Sequence, residues 1–411
     1  GQWTLTDIIL MLVYGQSLSR GSTAQPIISS AQPHQNIMLK SGVLTRSNEN
    51  GYDKSAFIPL VENWTETPAS GICNTFSKRF QDSTSRTSPV LASASTGDGG
   101  RTIEELSKGG AGFFENTVEE IRDMFTLAQS QNKSFSVLNY NWFQGESNQL
   151  ADDNSPFSSR VHEYISKLVK LKRDLDSEVL SITDQKFLPS MFMYQVASHR
   201  RLYQSKNMRV ALAQLKMSNE YDDFIMSTPA YCLKHNTDHL HLTSEGSWLL
   251  GAYTSRAIYE TIIMSKKWKP LQPSFVEWNA TEIIVGGWNP RGTTLVLDNA
   301  LCALTENFGF DLFTPNAVLI DIISIVTLVD KNTIKITLSA PAPNNAILCC
   351  GRGRDYMNSN DLGGELTGSR TNIRDNHGDF DEVTSPTGTT YKLHNASVMW
   401  QYSRKDGFNA V

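Results

Sequence analysis

Three side chains have the types that nucleophilic catalysis requires: Ser17 and, far along the sequence from it, the neighbouring pair Asp238 and His241. Ser17 lies in the segment Gly15–Gly21 (GQSLSRG), directly after the apolar run Ile8–Tyr14. A serine hydroxyl is a poor nucleophile until a neighbouring base removes its proton. The segment therefore predicts a nucleophile at the end of a strand, although a serine-rich turn or a helix N-cap would have the same composition.

The segment Asp238–Gly246 (DHLHLTSEG) offers a base and a carboxylate to orient it. Asp238 precedes His241 by three residues, so its carboxylate can hold Nδ1 of the imidazole and leave Nε2 for the serine. His239 is a rival base, and the spacing of His239 and His241 also suits a metal-binding pair. No third His or Cys stands at a recognisable spacing, so we expect no metal. The alternative to catalysis is a loop capped by Asp238 with a structural histidine.

The segment 142–148 (WFQGESN) follows an apolar run and contains a candidate donor for an oxyanion, the negatively charged oxygen of an ester transition state. The side-chain amide of Gln144 is that donor, and Gly145 gives the backbone freedom to approach it. Glu146 can accept hydrogen bonds from neighbouring backbone amides and hold the loop. For Glu146 we favour this structural role.

The segment 97–103 (GDGGRTI) follows a second apolar run and supplies another donor. The backbone amide of Gly100 or Gly99 can point at the same oxyanion. A glycine-rich phosphate loop is not indicated, because Arg101 and Thr102 break the required spacing.

Short apolar runs alternate with amphipathic stretches up to about residue 272, which predicts a parallel sheet covered by helices on both faces. In such sheets the functional site lies beyond the carboxyl ends of the strands. Periods of two and 3.6 residues distinguish the two kinds of element. The predicted strands are Ile8–Tyr14, Pro89–Ala94, Phe135–Trp142 and Met191–Val196, and the predicted helices are Glu115–Gln131, Ser158–Asp176 and Ser244–Met264.

The pattern changes after Pro273 to short β-type runs between Asn, Gly and Pro clusters. The division predicts an α/β domain over residues 1–272 and a β-rich domain, a sandwich or jelly roll, over residues 273–411. Residues 330–332 are a predicted hairpin turn. The predicted strands of this domain are Thr281–Val285, Thr293–Leu297, Val318–Leu328, Thr333–Leu338, Ala346–Cys349 and Ser397–Tyr402.

Aromatic residues of the β-rich domain are candidates for binding a polysaccharide, because a sugar ring can stack on an aromatic face. The candidates are Trp278, Trp288, Tyr356 and Trp400. Trp400 lies in an apolar strand and is expected in the core, whereas Trp288, between Gly287 and Asn289, is the better surface candidate.

The formal charge of −5 and the isoelectric point near 5.9 offer no basic surface to nucleic acid or anionic lipid. The apolar run Ile8–Val13 is too short to cross a bilayer, and no signal peptide is recognisable. The first residues do not resemble a natural N-terminus, so we expect that upstream sequence was removed. The charge and the short apolar run therefore argue against nucleic acid and membrane as partners, but they do not indicate which partner binds.

The order of the segments resembles that of the SGNH hydrolase family, in the branch that holds sialate O-acetylesterases and acetylxylan-type carbohydrate esterases. The matching pieces are GQSL at residue 15, GGRTI at residue 99, WFQGE at residue 142 and DHLH at residue 238. The resemblance covers roughly residues 8–263 and implies a flavodoxin-like three-layer domain without metal or cofactor. It implies Ser17, Gly100 and Gln144 as oxyanion donors, and Gly99, Arg101, Gly145 and Glu146 as supporting or substrate-binding residues.

One position departs from the family name, since Gln144 stands where the N of SGNH denotes Asn. The carbohydrate-esterase branch shares that glutamine. The tail from Arg370 to Trp400 resembles SGNH esterases of phage tail proteins. That resemblance implies an extracellular or virion-associated protein and a homo-oligomer, a trimer if it is a phage tail protein.

The leading hypothesis is thus a serine esterase that removes O-acetyl groups from an acetylated carbohydrate. A carbohydrate-binding receptor protein without turnover is the first alternative, but binding alone does not need the set Ser17, Asp238 and His241. A lipase or thioesterase is the second, but it would need an apolar groove, and the expected rim segments are small and polar.

Overall fold

The computed structural model describes residues 6–150, 160–203, 207–354 and 362–408. The strands of its largest sheet are β1 (Ile8–Gly15), β2 (Ile37–Leu39), β3 (Phe57–Pro59), β4 (Val90–Ser95), β5 (Phe135–Phe143), β6 (Ser190–Gln195) and β7 (Phe224–Pro229). Their order across the sheet is β3-β2-β4-β1-β5-β6-β7, and only β2 and β3 pair antiparallel. Each residue of β1 is buried, as expected for a central parallel strand made of Ile, Leu, Met and Val.

The arrangement of β1, β4, β5, β6 and β7 is that of flavodoxin-like folds, in which the first strand lies between the second and the third. The predicted α/β fold is therefore confirmed. The carboxyl ends of β1, β4 and β5 meet at one edge because β1 pairs parallel with both neighbours. The loops that follow these strands are the three segments in which the sequence analysis placed Ser17, Gly100 and Gln144.

The helices of this part are α1 (Pro68–Thr84), α2 (Ile103–Leu106), α3 (Phe113–Ser130), α4 (Glu146–Leu150), α5 (Arg160–Thr183), α6 (His199–Tyr203), α7 (Arg209–Glu220) and α8 (Ser244–Ile258). The helices α3, α5 and α8 lie where they were predicted, except that Ser158 falls outside the described residues and α8 continues as a π turn over Tyr259–Ile263. The remaining elements of this part were not predicted from the sequence: the strands β2, β3 and β7 and the helices α1, α2, α4, α6 and α7. None of the helices in the described ranges has the length and apolarity to cross a membrane.

The remaining strands are β8 (Phe275–Trp278), β9 (Glu282–Gly286), β10 (Leu295–Leu297), β11 (Phe310–Phe313), β12 (Ile323–Asp330), β13 (Thr333–Leu338), β14 (Ile347–Cys350), β15 (Ile373–Asp375), β16 (Glu382–Thr384), β17 (Thr390–Lys392), β18 (Trp400–Ser403) and β19 (Gly407–Phe408), with one short helix α9 (Gly364–Thr367). Two antiparallel four-stranded sheets, β12-β13-β9-β8 and β11-β14-β18-β19, share one hydrophobic core. The predicted β-rich region is confirmed, and β12 and β13 join through the predicted turn at residues 330–332.

The boundary at residue 272 stays a prediction, and extensive contacts cross it. The side-chain amide of Gln195 at the end of β6 donates to the Met399 carbonyl at 2.8 Å, and its oxygen accepts from the Met399 amide at 2.7 Å. The buried guanidinium of Arg256 in α8 donates to Asn395 Oδ1 at 2.6 Å. Leu215 and Met226 of the α/β part belong to the core of the β sheets. The two parts therefore pack together as a continuous interior.

The expectation that Trp288 is a surface aromatic is wrong. Only 3% of Trp288 is exposed, and its ring packs edge-on against the buried Trp400 at a centroid separation of 6.2 Å. Its indole nitrogen donates to the Val285 carbonyl at 3.1 Å. Gly287 before it has a left-handed backbone with φ of 64°, in the irregular segment that follows β9. Trp400 is buried as expected, Trp278 is half-buried, and Tyr356 lies outside the described residues.

We predict that Trp288→Ala lowers the free energy of unfolding by about 3–5 kcal/mol, because it removes a buried ring and leaves a cavity. Turnover of a small ester and of a polymer should then fall together as the folded fraction falls. Chemical denaturation followed by circular dichroism measures the first effect. Val329→Ala, at an exposed position of β12, is the control and should change stability by less than about 0.5 kcal/mol. Loss of activity on the polymer alone, at unchanged stability, would restore Trp288 as a binding residue.

Candidate active site

Ser17 is held at the carboxyl end of β1 by close packing of three chain segments. A Cβ atom on Gly15 would lie 2.1 Å from the Phe143 carbonyl oxygen, and one on Gly97 would lie 2.0 Å from the Gly15 carbonyl oxygen. Only glycine fits where backbones approach this closely. Ser17 then begins a short 3-10 turn, Ser17–Arg20, that turns the chain away from the sheet.

The structure brings Ser17, Asp238 and His241 together in one hydrogen-bonded chain. Ser17 Oγ lies 3.0 Å from His241 Nε2, and His241 Nδ1 lies 2.6 Å from Asp238 Oδ2. A carboxylate only accepts hydrogen bonds, so Nδ1 carries the proton and Nε2 is free to accept from the serine hydroxyl. This is the arrangement in which an imidazole acts as a base toward serine.

Backbone amides hold the Asp238 carboxylate in place and keep it ionised. Its Oδ1 accepts from the amides of Leu240 at 3.0 Å and His241 at 2.9 Å. Burial by itself raises the pKa of Asp238, but the hydrogen bonds from the His241 ring and the two amides outweigh it, and the pKa is lowered. The carboxylate is therefore negative at neutral pH and stabilises an imidazolium when His241 takes up a proton.

His239 and His241 face different surroundings, although one residue separates them. His239 has a left-handed backbone with φ of 59°, and its Nδ1 lies 3.4 Å from the Gly363 carbonyl and 3.3 Å from Thr367 Oγ1. His241 alone of the two contacts Ser17. In the described ranges, no three His, Cys, Asp or Glu side chains cluster as ligands of a metal ion.

The loop after β4 lies beside the serine. A Cβ atom on Gly99 would be 3.9 Å from the Ser17 Cβ, and Gly100 has a left-handed backbone with φ of 73°. Within the part of the chain that the structure describes, neither the Gly99 nor the Gly100 amide donates a hydrogen bond to another residue. Both amides are therefore free to bind a substrate oxygen.

Gln144 is fully buried, and its amide orientation is determined by its neighbours. Tyr164 Oη receives hydrogen bonds from Trp142 Nε1 at 3.2 Å and Gln214 Nε2 at 3.5 Å, so it donates its own proton to Gln144 Oε1 at 2.9 Å. Gln144 Nε2 then donates to Asn148 Oδ1 at 2.6 Å and to the Arg101 carbonyl at 3.2 Å. Its role as an oxyanion donor stays a prediction, and in this conformation its amide also orders the loop at Arg101.

Two residues that the sequence analysis did not assign, Gln16 and Asn148, connect these loops. Gln16 Oε1 accepts from the amides of Gly145 at 3.2 Å and Ser147 at 3.1 Å. Asn148 Oδ1 accepts from the Ile103 amide at 2.8 Å as well as from Gln144. Their positions, directly before Ser17 and within the WFQGESN segment, were the available signal. Gln16 connects the serine loop to the β5 loop, and Asn148 connects the β5 loop to α2.

Glu146 is buried against Tyr194, whose hydroxyl donates to Oε1. Its Oε2 has no hydrogen-bond partner among the described residues. Burial raises the pKa of Glu146, and the Tyr194 hydrogen bond and the nearby charges of His241 and His235 offset only part of that effect. Glu146 is thus a buried carboxyl close to His241, and its structural role stays a prediction.

Arg101 makes local contacts in the structure. Its guanidinium donates to Asp98 Oδ2 at 2.8 Å and to Glu105 Oε1 at 3.1 Å, and it lies 4.9 Å from the centre of the Phe113 ring. The segment Gly97–Arg101 is thereby held against α2 and α3. A direct contact of Arg101 with substrate stays a prediction.

The carboxyl-terminal part of the chain supports the turn that carries His241. The Glu365 carboxylate accepts from the His235 amide at 3.1 Å and lies 3.1 Å from its Nδ1. Asn236 in turn donates its amide to the His241 carbonyl at 2.8 Å. No pattern in the sequence connected residue 365 with residue 235.

Comparison with known proteins identifies the family. A family model described as carbohydrate esterase, sialic acid-specific acetylesterase, matches residues 7–260, which is more than half of the chain. This chain belongs to that family. The family consists of carbohydrate acetylesterases of the SGNH type, so the protein is a carboxylic ester hydrolase, and the resemblance found in the sequence is confirmed.

Solved structures are similar in fold. A carbohydrate acetylesterase from Xanthomonas citri is 14% identical with a TM-score of 0.51, over 88% of this chain and 79% of the other. A carbohydrate acetylesterase from Sinorhizobium meliloti is 11% identical with a TM-score of 0.34, over 61% of this chain and 96% of the other. Among curated proteins, none matches this sequence. At these identities the likeness concerns the fold alone.

We predict that His241→Asn in this acetylesterase lowers kcat by about 10²–10⁴-fold, because it removes the base. His239→Asn should keep a rate near that of the wild type, since Asn tolerates the left-handed backbone at this position. Initial rates on a small acetyl ester at neutral pH test the pair, and melting temperatures confirm that both variants fold. If the His239 variant is inactive and the His241 variant is active, then His239 is the base and the prediction is wrong.

The raised pKa of Glu146 predicts a dependence of stability on pH. A carboxyl whose pKa is raised on folding contributes stability at low pH that is lost as the pH rises through its folded-state pKa. Glu146→Gln is permanently neutral, so its stability relative to the wild type should improve between about pH 5 and pH 8. Urea unfolding at both pH values measures the difference. Glu119→Gln, whose side chain on α3 is about half exposed, is the matched control, and an identical trend for both variants would contradict the prediction.

Proposed function

We propose that this acetylesterase removes O-acetyl groups from a carbohydrate through an acetyl-enzyme on Ser17. The hydrogen-bonded chain Ser17–His241–Asp238 carries the proposal. A binding protein without turnover has no need of a serine hydroxyl that donates to an imidazole oriented by a carboxylate.

In the first step, Ser17 Oγ attacks the carbonyl carbon of the acetyl ester while its proton moves to His241 Nε2. The tetrahedral intermediate collapses by breaking the bond between that carbon and the sugar oxygen. His241 gives its proton to the leaving sugar oxygen, so the sugar departs as an alcohol and the acetyl group stays on Ser17.

In the second step, water replaces the sugar. His241 takes a proton from the water molecule as its oxygen attacks the acetyl carbon, and it returns the proton to Ser17 Oγ when the acyl bond breaks. The product leaves as acetic acid, which releases its remaining proton to solvent and becomes acetate, and the serine hydroxyl is regenerated. Asp238 remains ionised throughout and stabilises the imidazolium, as its lowered pKa requires.

The oxyanion of each intermediate would bind the Gly100 amide, the Ser17 amide and the Gln144 side chain. The free amides of the β4 loop beside Ser17 support this assignment. Gln144 would contribute if the oxyanion replaced the Arg101 carbonyl, the acceptor in the longer of its two hydrogen bonds. Donors already in place need no reorganisation when charge develops, which is the main advantage of such a site.

The description of the family supports an acetylated sialic acid, or a polysaccharide that contains one, as the substrate. The small and polar residues of the expected rim segments around Ser17 support acetyl over longer acyl groups. An origin in a phage tail, an extracellular or virion-associated location and a trimeric assembly stay predictions from the sequence.

We predict that Ser17→Ala lowers acetate release by about 10⁴–10⁶-fold, because no other group can form the acyl-enzyme. The assay measures acetate released from O-acetylated sialic acid and from a panel of O-acetylated bacterial polysaccharides. Ser22→Ala, on the same segment, is the control and should retain activity.

Two results would contradict the proposal. A folded Ser17→Ala variant that keeps more than about a tenth of the wild-type rate has lost only ~1.4 kcal/mol of barrier stabilisation, too little for a nucleophile. Faster hydrolysis of an octanoyl ester than of an acetyl ester by the wild type would instead favour a lipase or thioesterase.

A further inference from the structure

Trp64 is the most exposed of the large hydrophobic side chains in the described residues, with 73% of its surface accessible. The other described tryptophans are buried or half-buried. Single exposed apolar residues are common, so exposure alone does not indicate a site. The contacts of the Trp64 loop and its rigidity are the observations that indicate a binding site.

Hydrogen bonds fix the loop that carries Trp64 onto the serine segment. Thr65 Oγ1 donates to the Arg20 carbonyl at 2.7 Å, and the Glu66 amide donates to the Ala24 carbonyl at 2.9 Å. The buried Glu66 carboxylate accepts from two further amides, those of Ile28 at 2.9 Å and Ser29 at 3.0 Å. A loop held in this way presents its indole without the entropic cost of ordering a mobile segment.

A series of hydrogen bonds connects the loop of Trp64 to the turn that carries His241. Gln25 Nε2 donates to the Trp64 carbonyl at 3.0 Å, and the Gln25 amide donates to the Thr23 carbonyl at 2.9 Å. Thr23 accepts from Asn236 Nδ2 at 2.9 Å, and the Asn236 amide donates to the His241 carbonyl at 2.8 Å. A continuous series of contacts therefore runs from Trp64 to His241.

The loop of Trp64 contacts the serine segment a few residues after the proposed nucleophile. The 3-10 turn from Ser17 to Arg20 rises by about 2 Å per residue, so its two ends are about 6 Å apart along the axis. Thr65 contacts the far end of this turn. A glycan whose acetyl group reaches Ser17 would extend over the loop of Trp64 in this direction.

We propose that Trp64 is a stacking platform for a sugar residue next to the acetylated one. The indole offers a flat apolar face, and the C–H face of a pyranose ring is its complement. The residues between Trp64 and the catalytic turn, Thr23, Gln25 and Asn236, are polar and can bind sugar hydroxyls. This inference rests on the proposed function and assigns the glycan specificity of the same site to a residue outside the catalytic set.

The test compares Trp64→Ala and Trp64→Phe on two substrates, a small acetyl ester and O-acetylated polysialic acid. We expect Trp64→Ala to lower the ratio of kcat/KM on the polymer to kcat/KM on the small ester about tenfold, mainly through KM. Trp64→Phe should restore most of the ratio, because it keeps an aromatic face. Phe380→Ala is the control. The Phe380 side chain is also highly exposed, at 69%, but it lies on the turn before Asp381, which pairs with Arg79 of α1.

Binding without turnover separates this inference from the proposed function. Ser17→Ala and the double variant Ser17→Ala/Trp64→Ala would be titrated with O-acetylated polysialic acid in calorimetry. About tenfold weaker binding by the double variant supports the stacking platform, even if the wild type releases no acetate. An unchanged substrate ratio together with unchanged binding overturns it. A change in sedimentation on Trp64→Ala, without a change in the ratio, would make Trp64 a contact between two copies of the chain instead.

Discussion

The hydrogen bond between His241 Nε2 and Ser17 Oγ joins residues that are 224 positions apart in the chain. The architecture of the α/β part brings these two residues together. Ser17 must follow a strand in the middle of the sheet, since only there do neighbouring loops on both sides reach it. β1 has that place because it pairs parallel with β4 and β5. The histidine must come from the other end of the domain, in the turn that enters α8.

The loops around Ser17 are rigid because their polar groups are buried and bonded to one another. Gln16 binds two amides of the β5 loop, and Gln144 takes its orientation from Tyr164. A buried polar network of this kind is stable only when each member has a partner. Its rigidity would place the donors of the proposed oxyanion site before substrate arrives, so that little reorganisation is needed during the reaction.

The β-rich part stabilises the segments of the α/β part that carry the site. Glu365 binds the His235 amide, and the strand segment near Asn395 accepts the buried charge of Arg256 from α8. The hypothesis that this part offers Trp288 to a polysaccharide is wrong, because the ring belongs to its core. An exposed tryptophan lies instead on the α/β part, at Trp64, in a loop that contacts the segment after Ser17.

The sequence by itself determined the fold class and the candidate catalytic residues. An uninterrupted apolar run such as Ile8–Tyr14 favours a buried strand, and the three-residue step from Asp238 to His241 depends on local geometry alone. Only the tertiary structure decided which face a side chain presents and which distant groups meet. Trp288 and Trp64 both lie in polar, turn-rich segments, yet packing buries one and exposes the other. Such outcomes depend on contacts between segments far apart in the chain, and local patterns do not carry that information.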